Sequence, residues 1–326
     1  MVVSDAPPGG GRARARAFIA TAALAALFAT VSAGSAMAAA PHVTIAHPVT
    51  GSYTNNQTPA VSGTTDDLLD PVTVNLYAGA SAGGAPVRTA TTGFPLATED
   101  WEVTLGPALE PGEYTAVAEQ SSLVEVGKSE PVTFTVVTAP PEVSITPPTS
   151  PTGNSTPTLE GGAGIRAVDN TSVSMTIYNG GTVGGTIAAA GEAPVNAGRW
   201  TFASPHLADG TYTAQATQGD KAGNSKSVTT AFTVITAAPK VTLSQPKTPS
   251  NHTKPTFTGT TNDSTQVTVS IYAGNQASGT PVSSATATPS GKNWSSTEAT
   301  PARNEGTYTA QATHESSLGN PNGKSE

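Results

Sequence analysis

The chain is written three times over. Pro41-His42-Val43-Thr44-Ile45, Pro141-Glu142-Val143-Ser144-Ile145 and Pro239-Lys240-Val241-Thr242-Leu243 open three segments that then run through the same sequence of features. A period of about 100 residues marks a tandem array, in which one supersecondary unit is copied and each copy is long enough for a core of its own. Whatever fold is proposed must therefore suit each copy.

The features are those of strands. A second strand is predicted at Thr58-Pro59-Ala60-Val61-Ser62-Gly63, Thr156-Pro157-Thr158-Leu159-Glu160-Gly161 and Lys254-Pro255-Thr256-Phe257-Thr258-Gly259. The third alternates most clearly. Val72, Val74 and Leu76 share one face, as do Val173, Met175 and Ile177, then Val267, Val269 and Ile271. Polar residues lie between them, the pattern of an antiparallel strand with one buried and one wet face. Tyr77, Tyr178 or Tyr272 and a glycine turn follow. Each copy then carries one tryptophan (Trp101, Trp200, Trp294) and one Gly-x-Tyr-Thr-Ala element beginning at Gly112, Gly210 or Gly306. A closing strand, Val132 to Val136 and Ala231 to Val234, ends the first two copies. With one more strand after Ala85, about seven strands per copy fit a small Greek-key sandwich.

Composition agrees with this pattern. Charged residues make up 12% and aromatics 5%, while glycine (33) and proline (27) are abundant, as short strands with frequent turns require. So much glycine and proline also suits a disordered chain, but disorder does not produce the recurring alternation. The absence of cysteine excludes disulfides, thiolate metal sites and a cysteine nucleophile.

The N-terminus reads as an export signal. Arg12, Arg14 and Arg16 precede an apolar run from Ala17 through Val31, and Ala36-Met37-Ala38 supplies small residues for cleavage after Ala38. The run is short for a membrane span of ~20 residues, the reading that an uncleaved anchor would need. No second such run occurs downstream. Removing residues 1–38 takes the formal charge from -8 to -10. An acidic chain without a basic cluster repels phosphate backbones, so nucleic acid is not an expected partner.

These residues resemble the immunoglobulin-like fold, and more narrowly the bacterial Ig-like repeats of large surface proteins. The Leu-x-x-Gly-x-Tyr element, Leu109 to Tyr114 and Leu207 to Tyr212, looks like the tyrosine corner of such sandwiches. Ala116, Ala214 and Ala310 stand where antibody-type domains have a cysteine, and the tryptophan falls late in each copy; both departures exclude an antibody-type domain. The resemblance implies an all-β chain of three tandem sandwiches after a signal peptide. Boundaries are expected at 1–38 for the signal, then 39–138, 139–237 and 238–326 for the modules. The third copy stops at Gly323-Lys324-Ser325-Glu326, where the first enters its closing strand after Gly127-Lys128-Ser129-Glu130. The sequence is accordingly expected to be the N-terminal piece of a longer protein. Proline-containing joints, Thr138-Ala139-Pro140-Pro141 and Thr236-Ala237-Ala238-Pro239, leave little free chain between copies.

Reactive groups do not cluster. His42, His47, His206, His252 and His314 occupy no place common to all three copies and read as surface or turn residues. Gly127-Lys128-Ser129 and Gly323-Lys324-Ser325 lack the upstream glycine of a phosphate loop, with Ser122 and Leu318 in its place. Asp and Asn in loops at one end of each copy are ordinary turn formers. Asp169 and Asp220 are nonetheless weak calcium candidates, since a loop of hard oxygens is what calcium takes, although Lys221 sits beside them. Tyr53 is the one aromatic outside the recurring set that falls in an apparent loop, thin support for carbohydrate binding.

The expected role is non-enzymatic: a secreted or cell-surface rod-like spacer or binding stalk needing no cofactor. Its partner would be an extracellular protein or glycan of unknown identity, with no membrane span after the signal and no obligate oligomer. The alternative is an accessory region of a larger secreted enzyme, such as a polysaccharide-degrading one.

Overall fold

The computed structural model describes residues 39–94, 96–123 and 125–326; the expected signal segment, 1–38, lies outside the described residues. The architecture is an all-β, multi-domain sandwich. In the first repeat the strands are β1 (Ser52–Thr54), β2 (Ala60–Thr64), β3 (Val72–Ala78), β4 (Arg88–Thr91), β5 (Asp100–Thr104), β6 (Gly112–Ser121), β7 (Val126–Lys128) and β8 (Val132–Val136). One sheet runs β1-β8-β6-β3-β4 with β7 also on β6, and β2 pairs β5 in the facing sheet.

The later repeats reuse this plan. The second contains β9 (Thr158–Gly162), β10 (Ser172–Asn179), β11 (Ile187–Pro194), β12 (Arg199–Ala203), β13 (Gly210–Gly219) and β14 (Ser225–Val234). Its sheets are β11-β10-β13-β14 and β12-β9. The third contains β15 (Thr258–Thr260), β16 (Val267–Ala273), β17 (Ser283–Ala287), β18 (Asn293–Ser295), β19 (Tyr308–His314) and β20 (Gly323–Lys324), with sheets β17-β16-β19-β20 and β15-β18.

The alternation read from sequence points the way it should. Val72, Val74 and Leu76 on β3 are fully buried, as are their counterparts on β10 and β16. Burying each such aliphatic side chain contributes about 1.5–3 kcal/mol. Each repeat gathers its apolar residues into a core around one tryptophan: Trp101, Trp200 or Trp294.

That tryptophan faces a glycine across the smaller sheet. Gly63 is opposite Trp101, Gly161 opposite Trp200 and Gly259 opposite Trp294. A Cβ at Gly63, Gly161 or Gly259 would overlap the carbonyl oxygen of Thr44, Ser144 or Thr242, where the opening segment crosses. Glycine lets that segment lie directly against the sheet.

Three expectations change. The opening segments are not continuous strands: they attach through single bridges such as Val43 with Thr65 and Val143 with Ala163, and by Thr44 N–H to Thr64 O at 2.9 Å. Tyr53 is not in a loop but on β1, which pairs in parallel with β8. His314 is fully buried rather than a surface or turn residue.

Candidate functional site

The tyrosine corner is present in every repeat. Tyr114 Oη donates to Glu110 O at 2.8 Å, Tyr212 Oη to Ala208 O at 2.8 Å and Tyr308 Oη to Asn304 O at 3.0 Å. The third lacks the leucine used to read the other two from sequence, and Gly-x-Tyr alone was its signal. Each bond pins the approach to the central strand of the larger sheet.

The two candidate calcium ligands do meet. Asp169 and Asp220 form an antiparallel bridge, and their side chains are 1% and 0% exposed. Arg166 fills the place that a cation would want. Its Nη2 lies 2.8 Å from Asp169 Oδ1 and 3.8 Å from Asp220 Oδ2, while its backbone N–H donates to Asp169 Oδ2 at 2.8 Å. Asp220 Oδ1 accepts from the N–H groups of Ala222 (3.0 Å) and Asn224 (2.8 Å), and its Oδ2 from Asn224 Nδ2 at 2.9 Å. All four carboxylate oxygens thus have protein donors or a guanidinium. The hydrogen bond to Asp169 chiefly raises the Arg166 pKa above its ordinary value, keeping it charged. Among the described residues no group of three or more His, Cys, Asp or Glu converges as a metal site would require.

This cluster lies where the second repeat meets the first. Arg166 Nη2 donates to Ala139 O in the connecting segment at 3.0 Å, and Asn55 N–H of the first repeat donates to Ala222 O of the second at 3.1 Å. Lys221 Nζ sits 5.7 Å from the centre of the Tyr53 ring, so the one aromatic that had suggested carbohydrate binding is partnered across the joint. Charge and hydrogen bonding here serve attachment of one repeat to the next.

His314 sits on β19 at the place of Gln120 on β6 and Gln218 on β13. Gln120 Nε2 donates to Asp67 O (2.7 Å) and Asp70 O (2.6 Å), and Gln218 Nε2 to Gly164 O (2.9 Å) and Asn170 O (2.8 Å). His314 instead contacts Thr261 Oγ1 through Nδ1 at 3.0 Å and Thr265 Oγ1 through Nε2 at 2.9 Å. In each repeat this side chain ties the loop after the second strand to the central strand.

The sequence of the second and third repeats matches a family described as a bacterial Ig-like domain, over residues 149–236 and 244–326, together just over half of the chain. The chain belongs to the bacterial Ig-like domain family. No curated protein matches it. Among solved structures, this Ig-like chain is similar to the tetra-tandem repeat in the extending region of a large adhesion protein. That match has 22% identity and a TM-score of 0.30, over 88% of this chain and 73% of the other. Dimeric latent PorU from Porphyromonas gingivalis matches at 16% identity and a TM-score of 0.23, over 87% of this chain and 34% of the other. The FN1–FN3 domains of chicken CNTN1 match at 12% identity and a TM-score of 0.23, over 88% and 96%. At these values the likenesses add nothing to the argument about function. Among the described residues no helix is long and apolar enough to cross a membrane.

Proposed function

We propose that this chain is an exported, non-enzymatic spacer of the cell surface or extracellular space, built from three Ig-like modules at 39–138, 139–237 and 238–326. The observation that carries the reading is the joint between repeats. Its polar and charged groups, Arg166, Lys221 and the Asn55 N–H, engage the neighbouring repeat or the connecting segment. Repeats held this way, with short proline-containing connections, set a distance between whatever lies at either end. Residues 1–38 supply the export signal in this reading, and an extracellular protein or glycan is the partner class.

The test is small-angle X-ray scattering of the processed chain. A compact body of this length has a radius of gyration of about 19 Å. A spacer gives a value well above this, with a scattering profile of linked beads; a value near 19 Å would remove the reading. N-terminal sequencing of the exported protein should begin at Ala39.

A further inference from the structure

Asn224 and Asn320 hold the same place in the second and third repeats. Each follows a left-handed glycine, Gly223 at φ 93° or Gly319 at φ 74°, in the turn after β13 or β19. The turns close alike: Gly223 N–H donates to Asp220 O at 3.2 Å, and Gly319 N–H to Ser316 O at 3.3 Å. Both asparagines then reach out of their own repeat. Asn224 Nδ2 donates to Val137 O at 2.8 Å, and Asn320 Nδ2 donates to Ile235 O at 2.7 Å and Ala237 O at 3.2 Å.

The acceptors correspond as well. Val137 and Ile235 are each the first residue past the closing strand of the preceding repeat. Each is anchored at home by its own N–H, to Thr54 O or Thr152 O at 2.9 Å. The turn of one repeat therefore grips the end of the one before it twice in the chain, at the same residue.

The surrounding backbone is fitted to the grip. At the second joint, a Cβ added to Gly153 would lie 2.5 Å from both Leu318 O and Asn320 Oδ1, so only glycine lets the turn approach. Gly153 has no need of glycine for a left-handed backbone, since its φ is not positive. The corresponding turn of the first repeat, residues 121–126, contains neither glycine nor asparagine, and its Leu123 is fully exposed.

We propose that the Gly-Asn turn is a docking latch whose partner is the C-terminal end of another repeat of this kind, and that it fixes the angle between consecutive repeats. A repeat with Gly-Asn in this turn docks onto the one before it; one without it does not. The inference deepens the spacer reading but is tested apart from it, because a chain with slack joints would still be extended.

The chain contains no cysteine, so pairs introduced for spin labels are unique. Exposed positions Ser81→Cys with Thr182→Cys span the first joint, and Thr182→Cys with Gln276→Cys the second. Pulsed electron paramagnetic resonance on the full chain should give one narrow distance distribution for each pair. Asn224→Ala should broaden the first distribution roughly twofold or more, as when a short linker alone sets the angle, and leave the second unchanged. Asn320→Ala should do the reverse. Asn224 also bonds Asp220 within its repeat, so Gly153→Val provides a second reading. It acts from the second repeat, across the second joint, leaves every residue of the Gly-Asn turn unchanged, and should broaden that interval alone. Parental widths in all three variants would overturn the latch. So would any single variant that broadened both intervals together, since the effect would then not lie in the joint.

Discussion

Phe134 on β8 stacks against Tyr114 on β6, with ring centroids 5.9 Å apart and planes 29° from parallel. Phe232 and Tyr212 repeat the arrangement at 5.7 Å and 27°. The closing strand thus delivers an aromatic onto the ring that the tyrosine corner has already fixed.

The two halves of this unit should separate by mutation. Phe232 is 1% exposed, and Phe232→Ala should destabilise the second repeat by about 3–5 kcal/mol through lost burial and a cavity. Tyr212→Phe removes only the bond to Ala208 O and should cost about 0.5–1.5 kcal/mol. Each repeat has one tryptophan, so its indole N–H signal in two-dimensional NMR reports that repeat alone; the Trp200 signal during urea titration gives both values. Equal losses from the two variants would show that burying the Phe232 ring contributes no more than the corner hydrogen bond.

Local pattern made the cores readable in advance. Alternation of period two placed Val173, Met175 and Ile177 inward because a strand leaves no other choice. What escaped was non-local. The opening segments looked like strands, yet they attach mainly by bridges, because glycine positions far along the chain set where they cross. Tyr53 looked free because its partner, Lys221, belongs to the next repeat. Loop position makes Asp169 and Asp220 candidates for one cation, but their meeting, and the role of Arg166 between them, depend on side-chain geometry that spacing does not encode. His314 read as a surface residue because histidine is polar, whereas comparison with Gln120 and Gln218 marks its place as buried and polar in every copy.

The glycine opposite each tryptophan is a packing requirement. Gly161→Ala should cost about 2–3 kcal/mol or more, because the added methyl overlaps Ser144 O and lies 2.8 Å from Trp200 Cζ2. Gly181 in the same repeat has open space around it and no positive φ, so Gly181→Ala should be neutral or stabilise by up to about 1 kcal/mol. Urea midpoints read at Trp200 decide. If the two substitutions cost the same, a general penalty for replacing glycine, rather than the crossing segment, would govern this position.

Arg166 holds its guanidinium against the two buried carboxylates. Arg166→Ala leaves two buried carboxylates without their counter-charge and should destabilise the second repeat by about 1–3 kcal/mol. That is less than a fully buried pair would lose, because the guanidinium side chain is 42% exposed. The parent protein should melt at the same temperature with millimolar calcium or with chelator. A calcium-dependent rise in the parent would show that the carboxylates bind metal despite their donors.

His314 gives the third repeat a dependence on pH that its sister repeats lack at the same place. Burial lowers its pKa below the usual 6.5, against the opposing charges of Asp263 and Glu315. Thr265 Oγ1 donates to Glu315 O and so accepts from Nε2–H, leaving Nδ1 to accept from Thr261; the network suits the neutral ring. The unfolded chain, with its ordinary histidine, therefore takes up a proton first as the medium acidifies. Stability from this group is fully present above pH 6.5 and declines as pH falls from there toward the lower folded value. The Trp294 indole signal should be lost at a lower temperature at about pH 5.5 than at about pH 7.5. His314→Gln, which installs the side chain used at Gln120 and Gln218, should flatten that dependence. A slope that survives the substitution would place the sensitivity in Asp263 or another group instead.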